Sequence, residues 1–119
     1  MRVLIVESNE ALAMLWANHL ERSGAAVQVA LTEEAAIAAV ESDTLDLIIM
    51  DVMLDQRSAL AVSDLAQFRQ PRARVIFVSS SSFFSDGSIF NLYPNACAYL
   101  PSGTSPDDLC AVAAHYAAA

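Results

Sequence analysis

Three short runs of uninterrupted apolar residues, Val3-Leu4-Ile5-Val6, Leu47-Ile48-Ile49-Met50 and Val75-Ile76-Phe77-Val78, constrain this chain more than any other feature. They are too short for ordinary helices and lack the apolar–polar alternation of a strand with one wet face. Such strands are buried on both sides, which requires a parallel sheet covered by helices above and below. Helical patterns separate the runs, so the chain reads as five strand–helix repeats.

Asn9 to Arg22 carries Leu12, Leu15, Trp16 and Leu20 at helical spacing and stops at Ser23-Gly24. Ala26–Ala30 is the second strand. Thr32 caps a helix that opens with Glu33-Glu34, where acids favour the positive end of the dipole, and runs to about Glu41. Leu45–Met50 is the third strand and delivers Asp51 at its end. A helix from about Ala59 to Gln70 is expected to bury Leu60, Leu65 and Phe68, with Pro71 ending it. Arg74–Val78 is the fourth strand and opens into Ser79-Ser80-Ser81-Ser82. Residues 83–94 read as a short or irregular helix, broken at Asp86-Gly87. Ala96–Leu100 is the fifth strand, and Ser105-Pro106-Asp107-Asp108 opens a last helix with Leu109, Val112, Ala113 and Tyr116 on its buried stripe.

With 119 residues, 55% of them apolar, the chain is expected to form one domain over residues 1–119. A net charge of −8 argues against direct nucleic-acid binding and against an anionic membrane surface, since both need clustered basic residues. The basic cluster Arg69, Arg72 and Arg74 around Pro71 reads as a solvated loop. No stretch is long and apolar enough to span a bilayer, and Glu7 interrupts the N-terminal run too early for a signal peptide. Cys97 and Cys110 have no metal-type spacing and read as buried reduced thiols, so the expected location is cytoplasmic.

Ligands and chemistry in doubly wound sheets collect at the carboxyl ends of the strands. That rule selects Glu7 and Ser8 after the first strand, Asp51 after the third, Ser79 after the fourth and Ser102 after the fifth. Asp51 and Glu7 converge from adjacent strands and repel unless a divalent cation lies between them, and Mg²⁺ suits oxygen ligands. An Asp beside Mg²⁺ can act as a nucleophile toward a phosphoryl group. The plain alternative is that Asp51 only caps its loop.

The segments Val3–Glu10, Leu45–Leu54, Val75–Ser79, Asn95–Leu100 and Ser105–Leu109, in that order, resemble the response-regulator receiver family over the whole chain. The resemblance implies a (βα)5 doubly wound, flavodoxin-like sandwich with a five-stranded parallel sheet in the order 2-1-3-4-5. It further implies Asp51 as phosphoacceptor, and Mg²⁺ held by Glu7, Asp51 and the Met53 backbone carbonyl. Ser79 and Tyr99 would be the switch pair.

The departures are as specific. Ser8 stands where the family has a second metal-binding acid and is a weak ligand candidate. Ser102 stands where the family has its lysine, and Arg57, in the loop after Asp51, is a candidate substitute. Asp55 replaces a proline, Ala59 a glycine, and Ser80 a smaller residue beside the switch serine.

Two functions follow as expectations, neither of them enzymatic. The first is a phosphorelay receiver with a histidine kinase or phosphotransfer protein as donor and a downstream protein effector. The second is a pseudo-receiver that binds partners independently of phosphorylation. A homodimer through the last two helices is compatible with the family, though no residue here argues for it. Haloacid-dehalogenase-type phosphatases need a second Asp where Met53 stands. A flavodoxin phosphate loop would need Ser, Thr or Gly where Glu7-Ser8-Asn9-Glu10 stands, and a dinucleotide fingerprint needs closely spaced glycines. Trp16, His19, His115, Met14, Met50 and Met53 (side chain) read as packing or surface residues.

Overall fold

The computed structural model describes residues 1–54, 57–58, 60–79, 95–101 and 103–117. Five strands, β1 (Arg2–Val6), β2 (Ala26–Ala30), β3 (Leu47–Asp51), β4 (Arg74–Ser79) and β5 (Ala96–Pro101), form one sheet. All its neighbouring strands are parallel and their order is β2-β1-β3-β4-β5. The helices are α1 (Glu10–Arg22), α2 (Glu33–Ser42), α3 (Leu60–Arg69) and α4 (Pro106–Ala117). The expected α/β doubly wound fold is therefore the one observed. The expected helix at 83–94 lies outside the described residues, as do Asp55, Ala59, Ser80 and Ser102. A two-residue antiparallel ladder, Met53 opposite Ser58 and Leu54 opposite Arg57, follows β3 and was not anticipated.

Period-two alternation along the three central strands builds two cores. Leu4, Val6, Ile48, Met50, Val75 and Phe77 face one way, toward Ala36, Ala39 and Val40 of α2 and Val62 and Ala66 of α3. Val3, Ile5, Leu47, Ile49, Ile76 and Val78 face the other way, toward Trp16 and Leu20 of α1 and Leu109 and Ala113 of α4. Every one of these strand residues is buried, which is why the runs carry no polar residue.

Helix ends follow the residues expected of them. The Asn9 side chain accepts from Leu12 N at 3.1 Å, Thr32 from Ala35 N at 3.1 Å, and Ser105 from Asp108 N at 3.2 Å. Gly24 closes α1 at φ +100°, where an L side chain would be strained.

Two apolar residues lie outside the cores expected to hold them. Leu15 is 43% exposed because the buried face of α1 is Ala13, Trp16, Ala17 and Leu20, one step round the helix. Phe68 is 81% exposed, since α3 buries Val62, Ser63 and Ala66 instead. Small residues on the inner face let the helix lie close to the sheet, and Phe68 falls on the opposite side. Cys97 and Cys110 are free and only partly buried, and burial pushes both thiols up from their ordinary range.

Gln70, just past α3, is a polar staple that the sequence did not advertise. Its Oε1 accepts from Leu45 N at 2.8 Å, and its Nε2 donates to Val40 O at 2.8 Å and to Asp43 O. One side chain thus satisfies three backbone groups between α2 and β3. Gln70→Ala is expected to cost about 2 kcal/mol in urea unfolding, because those partly buried groups lose their partners together. A loss within about 0.5 kcal/mol would show that water replaces the staple.

Candidate functional site

The register of the sheet brings the acidic residues together. Val6 is level with Met50, so Glu7 and Asp51 leave neighbouring strands at the same height. The β1–β2 ladder continues one step past the strand, with Glu7 N donating to Ala30 O at 3.1 Å, which holds the Glu7 backbone extended. Glu7 is consequently buried, at 3% exposure, while Asp51 is partly buried and Ser8 is exposed.

Burying a carboxylate this deeply favours its neutral form. The Glu7 carboxyl is raised to about 8, first by loss of hydration, then by its hydrogen bond to the Asp51 side chain and by repulsion from the Asp51 charge. The Asn9 N–H, donating to Glu7 Oε1 at 3.4 Å, opposes the shift weakly. Glu7 Oε2 is buried and receives no hydrogen bond from a protein donor. A proton shared with Asp51, or a cation in its place, is what can satisfy this pair. The convergence of Glu7 and Asp51 is the one expected from the sequence, whereas a proton held between them was not expected.

The remaining candidates also lie at or near this end of the sheet. Ser79 ends β4, is buried at 4% exposure, and stands one residue beyond Val78, the partner of Asp51. Val52 N donates to Val78 O at 3.0 Å and ties the chain after Asp51 to β4. Tyr99 is level with Phe77 on β5 and packs, partly buried, against the core on the α2 and α3 side. The backbone of Met53 begins the short ladder two residues past Asp51. Ser102 lies outside the described residues.

Two carboxyls facing each other, one of them with an orphaned oxygen, suit a hard cation that prefers oxygen. Among the described residues, however, no group of three or more His, Cys, Asp or Glu could hold a metal, and the residue after Glu7 is Ser8, a hydroxyl rather than a carboxyl. The residues fit a cation held through few protein ligands.

His19 is not the lone residue that its sequence context suggests. Its Nδ1 lies 3.0 Å from Leu15 O and its Nε2 lies 3.8 Å from Asp107 Oδ1 on α4. Asp107 is almost fully exposed, so the contact adds little to stability and nothing to the chemistry at Asp51.

Comparison with known proteins gives one consistent answer. A family model, the response regulator receiver domain, matches residues 3–112. No curated protein matches the chain. Among solved structures, a CheY-like receiver domain protein from Methanospirillum hungatei superposes with a TM-score of 0.88 at 25% identity, covering 98% of this chain and 93% of that one. Response regulator TrrA from Thermotoga maritima, in complex with Mg²⁺ and BeF, gives a TM-score of 0.82 at 21% identity over 97% of both chains. A Burkholderia pseudomallei response regulator with a phosphorylated aspartic acid, calcium ion and citrate gives 0.81 at 24% identity, over 92% of this chain and 64% of that one.

Proposed function

Since the chain belongs to the response regulator receiver domain family, a module of two-component signalling, we propose that it accepts a phosphoryl group on Asp51 from a histidine kinase or phosphotransfer protein and signals to a protein effector. The single observation behind this reading is the Glu7–Asp51 pair: a partly exposed carboxylate beside a buried carboxyl that a cation or a proton must satisfy.

Glu7, Asp51 and the Met53 carbonyl would hold Mg²⁺, with Ser8 adding at most a weak hydroxyl ligand. When bound, the ion would neutralise charge developing on the transferred phosphoryl oxygens. The chain's own residues then have separable roles. Asp51 is the nucleophile, accessible because it ends β3 rather than lying within it. Glu7 is held in place by its backbone bond to Ala30 and must lose its proton before it can ligate a metal. Ser79 and Tyr99, on the two strands beside β3, would carry the change to the effector surface by a shift between two conformations.

Intact-mass measurement after incubation with acetyl phosphate and Mg²⁺ tests this reading. The wild type is expected to gain one phosphoryl group and Asp51→Asn none. If the wild type stays unmodified under conditions that modify a receiver carrying the full acid pair and lysine, the phosphorelay reading fails. The loss of the second acid at Ser8 and of the lysine at Ser102 supports the alternative, a pseudo-receiver that binds its partner without phosphorylation.

A further inference from the structure

The two edges of the sheet are unlike. At one edge β5 pairs with β4 through a register irregularity at Val75/Ile76 and ends on Pro101, and both features discourage further pairing. At the other edge β2 pairs with β1 in regular register along its whole length and carries no charge and no proline. Ala26 N donates to Met1 O at 2.9 Å and Glu7 N donates to Ala30 O at 3.1 Å, which fixes the phase of the ladder. Backbone groups alternate in direction along a strand. Ala26, Gln28 and Ala30 therefore turn theirs toward β1, and Val27 and Val29 turn theirs outward. Among the described residues, nothing bonds those outward N–H and C=O groups.

Three observations fit this edge to a second copy of the chain. The strand Ala26-Val27-Gln28-Val29-Ala30 reads the same in both directions, so a copy laid antiparallel about Gln28 sets like opposite like. In that register Val27 meets the partner's Val29, each with its backbone groups turned outward, and a one-residue slip would set outward groups against inward ones. The side chains suit the same axis. Val27 and Val29 are only partly buried on the α1 side, where the partner's valines would complete their cover. On the other side Gln28 is exposed between two alanines, free to exchange amide hydrogen bonds with the partner's Gln28. Finally, Arg22 lies at the end of β2 that meets the partner's Glu33 and Glu34, and among the described residues none of the three has an ion pair in its own chain.

We propose that β2 is a self-association edge, where two copies pair antiparallel about an axis at Gln28 through the outward groups of Val27 and Val29 and join their sheets into one. The edge lies two strands from Asp51 and opposite β5, so the pairing needs no phosphoryl group and is distinct from a contact through α4. The net charge of −8 opposes association at long range, but salt at about 0.15 M screens charges separated by more than about 8 Å.

Sedimentation equilibrium of the full chain, at about 0.15 M salt and between roughly 5 and 500 μM protein, reads the association. A dimer is expected with a dissociation constant of roughly 10–100 μM, since the contact belongs at the small end of specific interfaces. Gln28→Lys and Gln28→Glu each set like charges opposite one another at the axis and should weaken dimerisation at least about tenfold. Gln28 is exposed, so neither charge enters the core. Mixing the two variants sets opposite charges at the axis and should restore association, which a folding defect could not do. Amide hydrogen exchange should slow with rising concentration at Val27 and Val29 and not at Gln28. A chain that stays monomeric throughout overturns the proposal and leaves the edge to a strand from another protein. Dimerisation that the single variants leave unchanged, or that mixing them does not restore, overturns it as well.

Discussion

Glu7→Gln is expected to make the protein more stable at alkaline pH by roughly 2–4 kcal/mol and to remove most of its pH dependence between about 4.5 and 8. In the unfolded chain the Glu7 carboxyl titrates near its ordinary 4.5, whereas in the folded protein burial and the Asp51 charge raise it to about 8. Between those values the native state holds a proton that the unfolded state has released. Stability therefore falls as pH rises through that window. The full contribution is present below 4.5 and is lost above 8. Gln mimics the protonated carboxyl in shape and can donate to Asp51 from its amide, so the variant keeps the low-pH arrangement at every pH. Thermal unfolding at pH 5 and pH 9 would read the effect: the wild type should lose on the order of 10 °C between them relative to the variant. Parallel losses in both proteins would show that Glu7 is not the group responsible.

The same substitution separates the proton from the cation. Mg²⁺ is expected to stabilise the wild type more at pH 8.5 than at pH 6, because below 8 it must displace the Glu7 proton. Glu7→Gln should lose that effect.

A comparably large effect, opposite in sense, is expected from repairing the site. Ser8→Asp with Ser102→Lys should raise the rate of phosphoryl transfer from acetyl phosphate to Asp51 on the order of 100-fold. An electrostatic group aimed at developing charge is worth about that much in a site sheltered from water. Ser8→Asp alone is expected to tighten Mg²⁺ binding, since it restores a second carboxylate beside Glu7. Ser102→Lys alone should act on rate more than on metal affinity, because the resemblance to the receiver family implies a lysine at this position that pairs with the incoming phosphoryl group. The opposite pattern, with Ser102→Lys changing only Mg²⁺ affinity, would refute the assigned roles. No change in transfer rate in the double variant would mean that the defect lies elsewhere, and the pseudo-receiver reading would gain.

These experiments rest on unequal parts of what the residues alone disclose. The three apolar runs by themselves determined a parallel sheet with both faces covered, because strands without a polar residue have no surface to offer water. The capping residues Asn9, Thr32 and Ser105 and the stop at Gly24 likewise set helix ends, since each satisfies a backbone group within a few residues of itself. Asp51 was legible for the same reason: a charge at the end of a buried strand needs a partner.

Tertiary structure decided what depends on contacts between distant segments. Helical spacing alone cannot choose between neighbouring faces of α1 and α3; α1 turns Ala13, Trp16, Ala17 and Leu20 inward and α3 turns Val62, Ser63 and Ala66 inward, which leaves Leu15 and Phe68 to solvent. The three bonds of Gln70 reach back 25 to 30 residues and leave no local pattern. The protonated state of Glu7 depends on how deeply the closed sheet buries it and on its height relative to Asp51. The chain writes its strands and caps in local order, but burial and register, which shift a pKa or leave an amide unpartnered, exist only once the sheet has closed.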